Sequence, residues 1–199
     1  MSGPIVASHL PLAEGCASGQ AAVLLAALRD VHRQLDELAA ELSPSQLEWQ
    51  PGVRAEGAAG TGRNTMGMLL AHIGVAETHL TQVGLSGERD GHVQDVIGIT
   101  VEDEGMPLTS GAPAAPVLAG RDAAFYRSIL ERSLAHLTHV ASRLSDADLA
   151  SEVHRPPRPD GTQRVFDKRW VLFHAVEHAA QHLGQLTSIR NQAKDAGIV

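Results

Sequence analysis

Toward the C-terminal end of the 199-residue chain runs His174-Ala-Val-Glu-His178-Ala-Ala-Gln-His182-Leu-Gly-Gln185. Residues four apart lie one above the other on a helix, so His178 and His182 project side by side, as a divalent metal ion requires of two imidazoles. At about 100° per residue, Val171, Ala175, Leu186 and Ile189 form an apolar stripe with both histidines inside it, which predicts that both are buried. Each imidazole carries two polar nitrogens that are costly to desolvate unless something binds them. A metal ion meets that need; hydrogen bonds to backbone or between the rings are the alternative. The same segment contains His174-x-x-Glu177-His178, the inverted zinc-protease pattern in which two histidines bind zinc and the glutamate acts as base. His174 and Glu177 drift to the margin of the stripe, so the pair His178/His182 is the better placed.

Two ligands on one helix need a third from a facing one. From Ala21 to Leu42 the apolar residues Leu24, Leu25, Leu28, Val31, Leu35 and Leu38 recur at spacings of one, three and four, an amphipathic helix with Arg29, Asp30, Arg33, Asp36 and Glu37 on its solvated face. His32 flanks the stripe and is expected at the surface or its edge. Ser43-Pro44-Ser45-Gln46 has the N-cap, first-turn proline and capping-box partner of a short helix. The Gly- and Ala-rich stretch from Gly57 to Thr65 has a faint likeness to a phosphate loop but lacks its lysine and a preceding strand, so it is expected to lead into a helix capped by Thr61 or Asn64. Met66, Leu69, Leu70, Ile73, Ala76 and Leu80 make that second stripe, ending near Val83-Gly84. His72 borders it and is the best third ligand. Glu77 falls inside it, where a carboxylate needs a cation or strong donors, so it either reaches the metal shell or pairs locally. His79, further along the edge of His72, is a weaker candidate.

Between Leu85 and Leu118 no period persists, although Val93 to Val101 has room for a brief strand or helical turn. Tyr126, Leu130, Leu134, Leu137, Val140, Ala141 and Leu144 form the third stripe, with His136 and His139 at or beyond its edge and expected to be solvated. Ser145-Asp-Ala-Asp148 has capping chemistry for another short turn. Arg155-Pro156-Pro157-Arg158-Pro159 excludes helix, Gly161 to Phe166 is a connector, and Asp167 can cap the last helix. The pattern predicts four long helices over about 17–42, 64–83, 121–144 and 168–194, with an insertion over about 85–118 between the second and third and no sustained strand. That is an all-α four-helix bundle forming one domain over residues 1–199, and a bundle core is a place where metal sites are built from facing helices.

Composition narrows the function. The net charge is -7 and aromatic residues make up 3% of the chain, which argues against a nucleic-acid surface of basic and stacking side chains. Cys16 is the only cysteine, so no intrachain disulfide can form; it is expected to be incidental. No apolar run suits a signal peptide or a membrane span, and the cytoplasm is the expected location.

Leu42-Ser-Pro-Ser-Gln-Leu47 with Trp49 and Pro51, Leu70-Ala-His72-Ile with Glu77, and His178-x-x-x-His182-x-Gly184-Gln185 together resemble the DinB/YfiT-like superfamily of four-helix-bundle proteins. The resemblance implies a divalent metal ion, zinc, nickel or iron, held by three histidines that map onto His72, His178 and His182, and it implies a homodimer. Many relatives follow the first last-helix histidine with Glu and the second with Arg, whereas here Glu177 precedes His178 and Leu183 follows His182, which leaves the subfamily open. Some members resemble thiol S-transferases that use mycothiol or bacillithiol against a small electrophile. In that case Glu77, Gln185 or His174 would orient a ligand or substrate, and the insertion would shape the mouth of the site. A non-catalytic, stress-related metal-binding dimer and a metal-dependent hydrolase are the alternatives. Three imidazoles leave coordination positions open, as at catalytic rather than purely structural metal sites.

Overall fold

Each of the four long helices begins at a residue whose side chain satisfies free N–H groups of its first turn. The structure, a computed structural model, describes residues 10–51, 64–88, 91–104 and 115–198. Ser18 caps α1 (Gly19–Ala40), and Ser43 forms a reciprocal capping box with Gln46 at α2 (Pro44–Glu48). Thr65 caps α3 (Met66–His79) by accepting from the Met68 N–H; Asn64, expected there, lies one residue too early, and Thr61 and the Gly57–Gly62 stretch lie outside the described residues. A five-residue helix, α4 (Val93–Ile97), follows in the insertion. Asp122 caps α5 (Ala123–Ala141), Ser145 caps α6 (Asp146–Leu149), and Asp167 caps α7 (Lys168–Asp195) through the Trp170 N–H at 2.7 Å.

The four long helices close into a bundle in which α1 packs on α5 and α7, and α3 packs on the same two. Leu25, Leu28 and Leu35 from α1, Leu69, Leu70 and Ile73 from α3, Ile129 and Leu137 from α5, and Val171, Leu172 and Leu186 from α7 fill the interior. The fold is all-α, as expected. The most enclosed element is α3, in which only His72, Ala76 and His79 are not buried. A helix buried nearly all round needs cover on its outer side. The described part of the insertion supplies it: Val93, Ile97 and Ile99 are buried as α4 packs on α3 and α5. The described part of the insertion therefore covers the α3–α5 side.

Two features escaped the pattern. After His79 the helix widens into a π-helical segment, Leu80–Ser86. The Thr81 hydroxyl donates to the Glu77 carbonyl at 2.7 Å, occupying the acceptor that an α-helical N–H would have used. In that segment Gly84 lets α7 come close: a Cβ there would lie 2.7 Å from Val171 Cγ1. The second feature is a small antiparallel hairpin, β1 (Glu152–His154) with β2 (Val165–Asp167), in which Val153 faces Phe166. Strands of three residues are too short for a period of two to show, so the connector expected over Gly161–Phe166 is in part a strand. The hairpin runs directly into the Asp167 cap and so sets the start of α7.

Candidate metal centre

His72 from α3 meets His178 and His182 from α7 across the α3–α7 seam. The Nε2 atom of His178 lies 3.1 Å from that of His72 and 3.1 Å from that of His182. One donor atom from each of the three falls within 4.8 Å of the others, and the group could hold a metal ion. For metal–nitrogen bonds of about 2.0–2.1 Å, neighbouring ligands stand roughly 2.9–3.4 Å apart, and both Nε2 separations lie in that interval.

Proton accounting supports a cation at the same point. The His182 Nδ1–H donates to the Gln185 Oε1 at 2.8 Å, so the neutral ring carries its lone pair on Nε2. The contact with His178 then needs a proton on the His178 Nε2, yet one proton cannot also serve the equally short contact to His72. His178 Nδ1, moreover, is buried without a hydrogen-bond partner among the described residues. Three lone pairs aimed at one ion remove the conflict at Nε2 and leave the His178 proton on Nδ1. The residues present thus fit a metal ion bound through three neutral imidazoles.

Burial, then the neighbouring His182, His72 and His174, push the His178 pKa down to about 3. The ring is neutral at physiological pH and its lone pair needs no deprotonation step. In the unfolded chain the same ring titrates near 6.5, so between these values acid protonates the unfolded state first and works against the fold. Full burial was expected for His178 and His182, but both are half-buried. The buried line of α7 runs through Val171, Ala175, Ala179 and Leu186, and the two rings stand roughly 30–70° to one side of it, at the seam.

The other residues singled out in the sequence fall in different places. Gln185 is exposed yet touches the His182 ring, which it orients. His174 stands apart: it stacks on Trp170 with centroids 4.7 Å apart and 12° between planes, its Nδ1 bonds the Glu177 carboxylate at 3.1 Å, and its centroid is 6.0 Å from that of His178. The inverted zinc-protease pattern therefore does not assemble, because its first histidine is outside the convergent group and its glutamate is engaged with that histidine. Glu77 points away from the metal group. It is fully buried, with Oε1 2.7 Å from His32 Nε2 and Oε2 accepting from the Ser133 hydroxyl at 2.8 Å, a local network joining α1, α3 and α5. His32, expected at the surface or edge, is 6% exposed, since its partner on another helix draws it inward. His79 is half-buried in a neighbouring cavity, and burial followed by the charge of Arg155 lowers its pKa. His136 and His139 lie on α5, outside the group; His139 is exposed, whereas His136 is partly buried and not solvated as expected. Cys16 is a free, half-buried thiol.

That cavity, of about 500 Å³, opens between the π-helical segment, the hairpin and the first turns of α7, with His174 in its wall. Sequence reasoning passed over its arginines 155, 158 and 164; three of them within ten residues of an otherwise acidic chain was the only signal of it.

All three histidines lie within residues 27–186, the stretch that matches the family model of the DinB superfamily. The chain belongs to the DinB superfamily. A crystal structure of a conserved protein from Enterococcus faecalis is similar to this DinB chain over 85% of its length and 94% of the other chain, at 14% identity and a TM-score of 0.55, a likeness of fold alone. No curated protein matches the chain. No described helix of this DinB protein is long and apolar enough to cross a membrane.

Hydrogen-bond partners of metal-binding imidazoles hold ring orientation and tautomer, and their loss commonly weakens metal affinity 10- to 100-fold. Gln185 is exposed, which places it at the low end. Gln185→Leu is expected to weaken metal affinity about tenfold, read by competition with a chromophoric chelator, with the melting temperature of the metal-free protein unchanged.

Proposed function

We propose that this protein holds a divalent metal ion, zinc, nickel or iron, at His72, His178 and His182, and that the site serves transfer of a low-molecular-weight thiol to a small electrophile. The observation that carries the metal half is the meeting of three imidazole edges from two helices, with two Nε2 separations that suit one ion and a single His178 Nε2 that cannot give each of its two neighbours a proton of its own. Support for the thiol half is membership of the DinB superfamily, some of whose members resemble thiol S-transferases that use mycothiol or bacillithiol. A divalent ion bound there supplies a positive centre that favours the deprotonated form of a thiol or water beside it.

The chain's own part is positional. His178 stays neutral, Gln185 fixes the His182 ring, and burial of α3 holds His72 in place. Cobalt(II)-loaded protein titrated with a bacillithiol or mycothiol analogue is expected to show a saturable change in its ligand-field spectrum. An unchanged spectrum in protein that has taken up cobalt would overturn the thiol half, and failure to take up cobalt or any other divalent ion would overturn both.

A further inference from the structure

The cavity beside the histidine group carries charge that the metal site does not use. The hairpin pairing continues past its strands: the Arg155 N–H donates to the Arg164 carbonyl at 3.0 Å, so the register that sets Val153 opposite Phe166 also sets Arg155 opposite Arg164. Directly opposed residues send their side chains to one face of a hairpin. Here that face is the one with Phe166, and it forms a wall of the cavity, joined by Arg158, His79 and Trp170. Like charges directly opposite each other in a hairpin repel. The arginines that pair with carboxylates among the described residues lie elsewhere, at Arg33, Arg127, Arg169 and Arg190.

Three guanidiniums without carboxylate partners among the described residues, gathered around one cavity in a chain of net charge -7, make a local positive centre with a specific address. Guanidiniums match carboxylate and phosphate oxygens in bidentate geometry. Leu80, Val83 and Phe166 give the wall an apolar part, and the volume suits a molecule of modest size. His174 belongs to the wall and its ring centroid is 6.0 Å from that of His178, so one ring separates the cavity from the nearest proposed metal ligand.

We propose that this cavity binds a small organic anion, a carboxylate or phosphate group on a short apolar body, with Arg155 and Arg164 clamping the anionic end. As the electrophile's binding site it deepens the function proposed above and rests on it; as an anion site it stands without the metal.

Calorimetric titration of the metal-loaded protein with phthalate, phenyl phosphate and neutral benzamide tests it. At least one of the two anions is expected to bind with one molecule per chain and to weaken as salt rises, while benzamide gives no binding heat. Which anion binds distinguishes carboxylate from phosphate. The double substitution Arg155→Gln/Arg164→Gln is expected to lower anion affinity at least tenfold while the melting temperature holds or rises, because the opposed charges are relieved. Binding by neither anion, equal binding of benzamide, or unchanged affinity in the double variant overturns the proposal, as does a lowered melting temperature, which would make the arginines structural. His178→Ala protein is expected to bind the anion as the parent does, so a failure of the metal site leaves this result legible on its own.

Discussion

His178→Ala protein, purified without a His tag, is expected to lose its metal. The parent should carry about one divalent ion per chain by elemental analysis, and the variant close to none. His178 is the ring in common: its Nε2 is within 3.1 Å of both partners, so its removal leaves His72 and His182 without the atom that links them. If three imidazoles share a binding free energy on the order of 10 kcal/mol, losing one weakens affinity by roughly a hundredfold or more. Folding should survive, because the metal-free His178 has at most one Nε2 proton to share between two short contacts and gains little from them. His174→Ala is the control: engaged with Trp170 and Glu177, it should leave the metal content intact. Equal metal loss in the two variants would restore the hydrolase-like pattern and sink the assignment of the three ligands.

The second large effect concerns stability. Glu77→Ala removes a fully buried carboxylate and takes from His32, 6% exposed, its Nε2 partner, while the Ser133 hydroxyl keeps the Leu130 carbonyl as acceptor at 3.0 Å. Breaking a buried, hydrogen-bonded polar network from one side costs about 3–5 kcal/mol, because the remaining groups stay desolvated. For a chain of this size that corresponds to a fall of about 10 °C in melting temperature. Metal content should not change, since the network binds α1 to α3 and α5, while the histidine group lies between α3 and α7. A Glu77→Ala protein that melts like the parent but loses its metal would reverse this division of labour and return Glu77 to the metal shell.

The two substitutions also mark where the sequence was informative. Positions 72 and 77 are five residues apart, so on a helix they stand about 140° from each other and cannot serve the same neighbour. That angle follows from the spacing alone. Spacing does not say which helix each side faces. Nothing on α1 by itself announces that His32 turns inward, because the reason for it is a carboxylate on α3. The long helices were legible because their apolar residues repeat, and the caps Ser43, Ser145 and Asp167 because a single side chain satisfies the backbone N–H groups beside it. The cap of α3 was missed by one position and the strands were missed altogether, three residues being too few to repeat. The opposition of Arg155 and Arg164 depends on hairpin register, which distance along the chain does not contain.

Trp170, His174, His178 and His182 follow one another at every fourth position of α7, with ring centroids 4.7, 6.0 and 4.4 Å apart from each to the next. One codon gained or lost inside this span would swing every later side chain by about 100° around the helix axis and scatter the column. Surface connections elsewhere can drift in length over evolutionary time with little harm. Between positions 170 and 182 the chain must keep its count.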